Sequence, residues 1–142
     1  MDITKLLSDL NLTPNDSVVI GSGILNALGL RPSNDIDVVV NEEAFARFKQ
    51  DPRFVEGQNH GQTILAYDLF EIFTAWVVLG KDQTFEELYK ESTVINGVRY
   101  ITPQFLLATK KSWLADDGRP KDFADVKLIE DYLSKKALEN HE

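Results

Sequence analysis

"SVVIGSGILNALGLRPSNDIDVVV", residues 17–40, joins an apolar run, a glycine turn, a short apolar segment, a loop and a second apolar run headed by two acids. Val18 to Ile20 has the β-branched content of a buried strand. Ser22 to about Leu28 reads as a short helix ended by Gly29 and the loop "RPSN", and Ile36 to Val40 as a second strand. Two chemistries compete for such a unit. A dinucleotide site needs G-x-G-x-x-G, a full crossover helix, and an acid at the end of the second strand about 20 positions on. Here Asn26 stands where the third glycine belongs, Gly29 and Pro32 cut the helix short, and Asp35 and Asp37 arrive at the start of the second strand.

The alternative gives each piece a task. A helix beginning just after Gly21 and Ser22 offers N–H groups to a phosphate, and glycine at positions 21 and 23 allows close backbone approach. Asp35 and Asp37, two apart on a strand, point to one face. Adjacent carboxylates repel unless a cation lies between them. Oxygen ligands favour a hard divalent ion, Mg²⁺ or Mn²⁺, which can also bridge to a triphosphate. The unit therefore combines a phosphate cradle with a metal clamp.

Outward from this unit, Ile3, Leu6, Leu7 and Leu10 have helical spacing. Asn41 is an N-cap for a helix to about Gln50, with Glu42 and Glu43 suited to its first turn. Residues 62–79 read as strands broken near Tyr67 and Asp68, "FEELYKE" as a short helix, and "TVINGVRYIT" as a hairpin turning at Asn96-Gly97. Pro103 opens a helix through Leu114, and "RPKDFADVKLIEDYLSKKALE" is a long amphipathic helix. Central strands between terminal helices predict an α/β layer fold on a mixed sheet.

The chain has 142 residues, a size that suits one domain, with a core over about 17–102 and a helical part over about 103–138. It has no cysteine, which removes disulfide, thiolate and Cys-zinc chemistry. Its net charge of -8 disfavours sequence-independent binding to a nucleic-acid backbone. Neither a signal peptide nor a membrane span is legible, so a cytoplasmic location is expected. His60 and His141 have no partner at metal-ligand spacing. Trp76 and Trp113 read as core or rim residues rather than base-stacking platforms.

At these residues the sequence resembles the nucleotidyltransferase superfamily that includes DNA polymerase beta, whose signature is a Gly-Ser or Gly-Gly turn followed by Asp-x-Asp on the next strand. The version here, with Arg31 shortly before the aspartates, looks most like the small bacterial branch of AbiEii-type toxins and lincosamide nucleotidyltransferases. "TPQFLLATKKSWLADDGRPKDFADVKLI" is similar to that branch's lysine-bearing helix followed by Arg-x-Lys-Asp and a terminal helix. The resemblance implies a nucleotidyltransferase-like fold, a mixed central sheet flanked by helices with helices at the C-terminus. It also implies a third acid on a neighbouring strand. "YDLFEIFTAW" offers Glu71, a glutamate where the family has aspartate, with Asp68 as competitor.

By this resemblance Asp35, Asp37 and Glu71 are expected to hold Mg²⁺ or Mn²⁺, Glu71 serving as metal ligand or as base for the acceptor hydroxyl. Gly21 and Ser22 would hold the terminal phosphates of ATP or another nucleoside triphosphate. Arg31, Lys110, Arg119 and Lys121 would neutralise the leaving pyrophosphate. The expected reaction is transfer of a nucleoside monophosphate to a small molecule, a protein hydroxyl or an RNA end. The alternative is a nucleotide-binding or partner-binding module without turnover, for example a toxin-antitoxin component. A homodimer would enclose an acceptor site that one short chain leaves open.

Overall fold

In a computed structural model, which describes residues 1–59, 61–117 and 119–139, the chain forms two compact units that meet in sequence at 101/102. His60 and His141 lie outside the described residues.

The first unit, Met1–Ile101, is built on a seven-stranded mixed sheet. Its opening helix α1 (Ile3–Asp9) is capped by the Asp2 side chain, which accepts from the Lys5 N–H. Strand β1 (Ser17–Ile20), helix α2 (Gly23–Ala27) and strand β2 (Ile36–Val40) follow as the sequence predicts. Asn41 caps α3 (Glu42–Lys49), its side chain accepting from Ala44 N–H at 2.9 Å. Next come β3 (Val55–Asn59), β4 (Gln62–Tyr67) and β5 (Phe70–Phe73). Then β6 (Ala75–Val78) and β7 (Lys81–Thr84) form a separate two-stranded sheet. Helix α4 (Phe85–Lys90) precedes the hairpin β8 (Ser92–Ile95) and β9 (Val98–Ile101). Asn96 and Gly97 turn it with φ of 50° and 78°.

The strand order is β3-β4-β5-β2-β1-β9-β8, with β1 antiparallel to β2 and parallel to β9, and β2 parallel to β5. Side chains alternate across the sheet. Val19, Ile36, Val38 and Ile72 therefore share one face, and Val18, Val39 and Ile101 lie on the other, all of them fully buried. Central strands covered on both faces explain why β1 and β2 read as continuous apolar runs.

Two strands lie outside the expected pattern. "VEGQN" in β3 and "KDQT" in β7 show no apolar alternation, because β3 is an edge strand with exposed Val55 and β7 belongs to a small exposed hairpin. Backbone pairing to β4 and β6, rather than burial of one face, makes them strands.

The second unit comprises α5 (Pro103–Asp117), three residues longer than the sequence predicts, and α6 (Pro120–Glu139). Thr102 caps α5 through its Oγ1, which accepts from Phe105 N–H at 3.1 Å. Among the described residues no helix is long and apolar enough to cross a membrane.

Candidate active site

The register of β2 against β5 builds the centre of the site. Asp37 lies directly opposite Glu71 on parallel neighbouring strands. Strands in a ladder run about 4.8 Å apart, so the two carboxylates rise side by side from one face. Each is half-buried. On the other flank of Asp37 is Ile20, the last residue of β1. The chain then turns through Gly21 at φ 65°, a left-handed conformation that glycine adopts without steric cost. A methyl group added there would stand 3.6 Å from Asp37 Oδ2, so the backbone of the turn lies against the carboxylate.

Gly23 has a different role from close approach to a ligand. A Cβ at that position would overlap Val19 Cγ1, so the missing side chain is what lets α2 pack on β1. Helix α2 has only five residues. So short a helix has little macrodipole.

Asp35 stands exposed, one residue before β2. Its carbonyl accepts from Ser33 Oγ at 2.9 Å, and Ser33 Oγ lies 3.0 Å from Ser22 Oγ. Ser33 is 4% exposed, and its N–H donates to Asn26 Oδ1 at 3.3 Å. Asn26 also donates from Nδ2 to the Met1 carbonyl, so the residue that replaces a third glycine clasps two loops together. Serine in "RPSN" looks like any turn residue, and nothing in its spacing distinguishes it. Arg31 donates from Nη1 to the Pro32 carbonyl at 2.9 Å.

Asp68 turns the β4–β5 hairpin at φ 54°, exposed. The neighbouring Leu69 carbonyl accepts from Ile36 N–H at 2.8 Å, which sets this turn beside the start of β2. Asp68 thus precedes β5, whereas Glu71 stands within it, opposite Asp37.

The donor set of Asp35, Asp37 and Glu71 is all oxygen and suits a hard divalent cation. Among the described residues no group of three or more aspartates, glutamates or histidines lies close enough together to hold a metal ion by itself. Mg²⁺ does not require one, since it commonly keeps several waters and takes one or two carboxylates together with substrate phosphates.

The remaining candidate cations belong to the C-terminal unit. Lys110 is 4% exposed, with Nζ 2.9 Å from Asp122 Oδ1 and 2.9 Å from Asp125 Oδ2. One ammonium on α5 thereby holds two acids spaced one helical turn apart on α6. Burial pushes the Asp122 carboxyl up, but the Lys110 hydrogen bond and charge, with the Arg119 N–H and guanidinium, bring it below the usual carboxylate value. Arg119 Nε is 3.4 Å from Asp122 Oδ2 with its side chain 61% exposed, and Lys121 is exposed. The sequence pattern drew attention to the cations of "RPKD". Its aspartate is the residue the fold buries.

No family model matches the sequence, and no curated protein matches it either. Among solved structures, the chain is similar to that of the aminoglycoside nucleotidyltransferase ANT(2")-Ia in complex with adenylyl-2"-tobramycin, with a TM-score of 0.59 over 98% of this chain and 94% of that one, at 13% identity. The chain has a nucleotidyltransferase-like fold. It is also similar to an antigenic nucleotidyltransferase-like protein from Paracoccidioides brasiliensis, at 18% identity and TM-score 0.48 over 89% of this chain and 71% of that one.

Proposed function

We propose that this chain transfers a nucleoside monophosphate from a nucleoside triphosphate to an acceptor hydroxyl, with Asp35, Asp37 and Glu71 holding Mg²⁺ or Mn²⁺. The observation that carries the proposal is the pairing of Asp37 with Glu71 beside the Gly21 turn. Two carboxylates brought together at the margin of a sheet repel each other, and a cation between them relieves that repulsion. When bound, the cation neutralises the triphosphate and stabilises the attacking and leaving oxygens of an in-line displacement.

The protein's own groups orient the reactants. The backbone N–H groups of Gly21 and Ser22 hold the terminal phosphates, and Asp35 and Asp37 fix the donor through the cation. Glu71 either completes that coordination or takes the proton of the acceptor hydroxyl. These roles rest on the N-terminal unit alone. The fold neighbour was solved with an adenylylated aminoglycoside, which makes ATP and small polyhydroxylated acceptors the first pair to assay.

Calorimetry with ATP, CTP, GTP or UTP and Mg²⁺ tests the proposal. Asp37→Ala and Asp35→Ala should each abolish Mg²⁺-dependent nucleotide binding without loss of the fold, and affinity equal to the parent's would refute the metal clamp. Glutamate in place of aspartate, and the absence among the described residues of three acids or histidines grouped to hold a metal ion, support a second reading, a nucleotide-binding module without turnover. Labelled nucleoside triphosphates incubated with Mg²⁺ and cell extract separate the two. Label entering an acceptor supports the transferase, and binding without transfer supports the module.

A further inference from the structure

We infer that Ser33 is a positioning residue that couples the phosphate cradle at Ser22 to the strand entry carrying Asp35, through a hydroxyl chain that reverses when a phosphate binds. The inference rests on the nucleotide site proposed above and specifies how two of its parts are linked.

Proton counting leads to it. Ser22 Oγ, Ser33 Oγ and the Asp35 carbonyl form a chain with steps of 3.0 and 2.9 Å. A carbonyl only accepts, and a serine hydroxyl carries one proton. The proton between Ser33 and Asp35 therefore belongs to Ser33, and the proton between Ser22 and Ser33 must come from Ser22. In this arrangement Ser22 has no proton left for a phosphate oxygen and would meet it with lone pairs alone.

A phosphate in the cradle changes the cheapest arrangement. Ser22 turns its proton to the anion, a charge-assisted bond stronger than one to a neutral hydroxyl. Ser33 then turns its own proton to Ser22 and releases the Asp35 carbonyl. Only hydroxyl rotors move, no covalent bond changes, and the two serine oxygens keep their separation. Ser33 is suited to this because it is 4% exposed and its backbone is held by Asn26, so it neither drifts nor exchanges its partners for solvent. Each bond in such a chain polarises the next, which strengthens the Ser22 donor at the phosphate. The released carbonyl belongs to the residue whose side chain is a proposed metal ligand, so phosphate arrival is communicated to the metal side of the site.

A double-mutant cycle tests this. The parent, Ser22→Ala, Ser33→Ala and the double variant are titrated with each of ATP, CTP, GTP and UTP in Mg²⁺, with urea unfolding recorded alongside. Ser22→Ala should weaken binding about three- to tenfold, the range of one hydrogen bond, and Ser33→Ala about two- to fourfold, because only the polarisation of the Ser22 donor is lost with it. The double variant should bind no worse than Ser22→Ala to within about twofold, because Ser33 acts through Ser22. A purely structural serine would instead give losses that multiply, and that result overturns the inference, as does parental affinity in Ser33→Ala. Ser33→Cys keeps the volume with a weak donor and serves if Ser33→Ala fails to fold; it should match the loss expected of alanine, and parental affinity in it also overturns the inference. A parent that binds no nucleotide overturns the functional proposal together with this inference, whereas multiplying losses in a parent that binds overturn this inference alone.

Discussion

The aspartate pair at the head of β2 and the aspartate pair in α6 are treated in opposite ways by the fold. Asp122 and Asp125, three apart on a helix, are each 1% exposed and share the ammonium of Lys110. Asp35 and Asp37, two apart at a strand entry, are exposed and half-buried respectively, and the register sets a third acid, Glu71, opposite Asp37. Acids sealed with their counterion serve the packing of two helices. Acids at a sheet margin next to a glycine turn keep contact with solvent. Type and spacing alone make both pairs look like metal clamps; burial separates them.

Removing Lys110 should break the contrast most severely. Lys110→Met leaves two carboxylates buried without their shared cation and should cost about 3–5 kcal/mol of stability, read from urea unfolding. Replacing Lys110, Asp122 and Asp125 together by apolar residues of similar volume should cost less than Lys110→Met alone, since no charge is then stranded.

Asp37→Ala should have the reverse signature, with nucleotide binding lost and a stability change smaller than that of Lys110→Met, because the aspartate is only half-buried. A stability loss comparable to that of Lys110→Met would show that the strand pair is structural too.

Acid titration sharpens the comparison further. Because the Asp122 carboxyl lies below its ordinary value in the folded protein, its stabilisation is present above about pH 4 and is lost as pH falls through the folded value. Urea midpoints should decline in that window, and Asp122→Asn should flatten that part of the profile. The smallest effect belongs to Arg119→Ala. Its side chain is 61% exposed with Nε 3.4 Å from Asp122 Oδ2, and such pairs contribute about 0–1 kcal/mol, so the unfolding midpoint should barely move.

What was legible in the sequence was legible because it is local. Asn41 and Thr84 accept from N–H groups three residues on, so the starts of α3 and α4 depend only on nearby chain. Asn96-Gly97 and Gly21 supply positive φ by their own chemistry. The apolar runs of β1 and β2 announce central strands because burial on both faces demands them. By contrast β3 and β7 are polar, and they became strands only because a neighbour offered a ladder. Ser33 passed for an ordinary turn residue, since its two hydroxyl partners are fixed by how the loop folds back onto α2.

The sequence by itself determined that a glycine turn is followed by two acids at the entry of the next strand, because a positive φ at glycine and an apolar run need only nearby chain. The tertiary structure alone decided that Glu71 stands opposite Asp37, because the register of β2 against β5 joins segments separated by a helix and two intervening strands. It also decided that Lys110 is held by Asp122 and Asp125, because the charge a lysine carries is written in the chain but the partner that desolvates with it is chosen by packing.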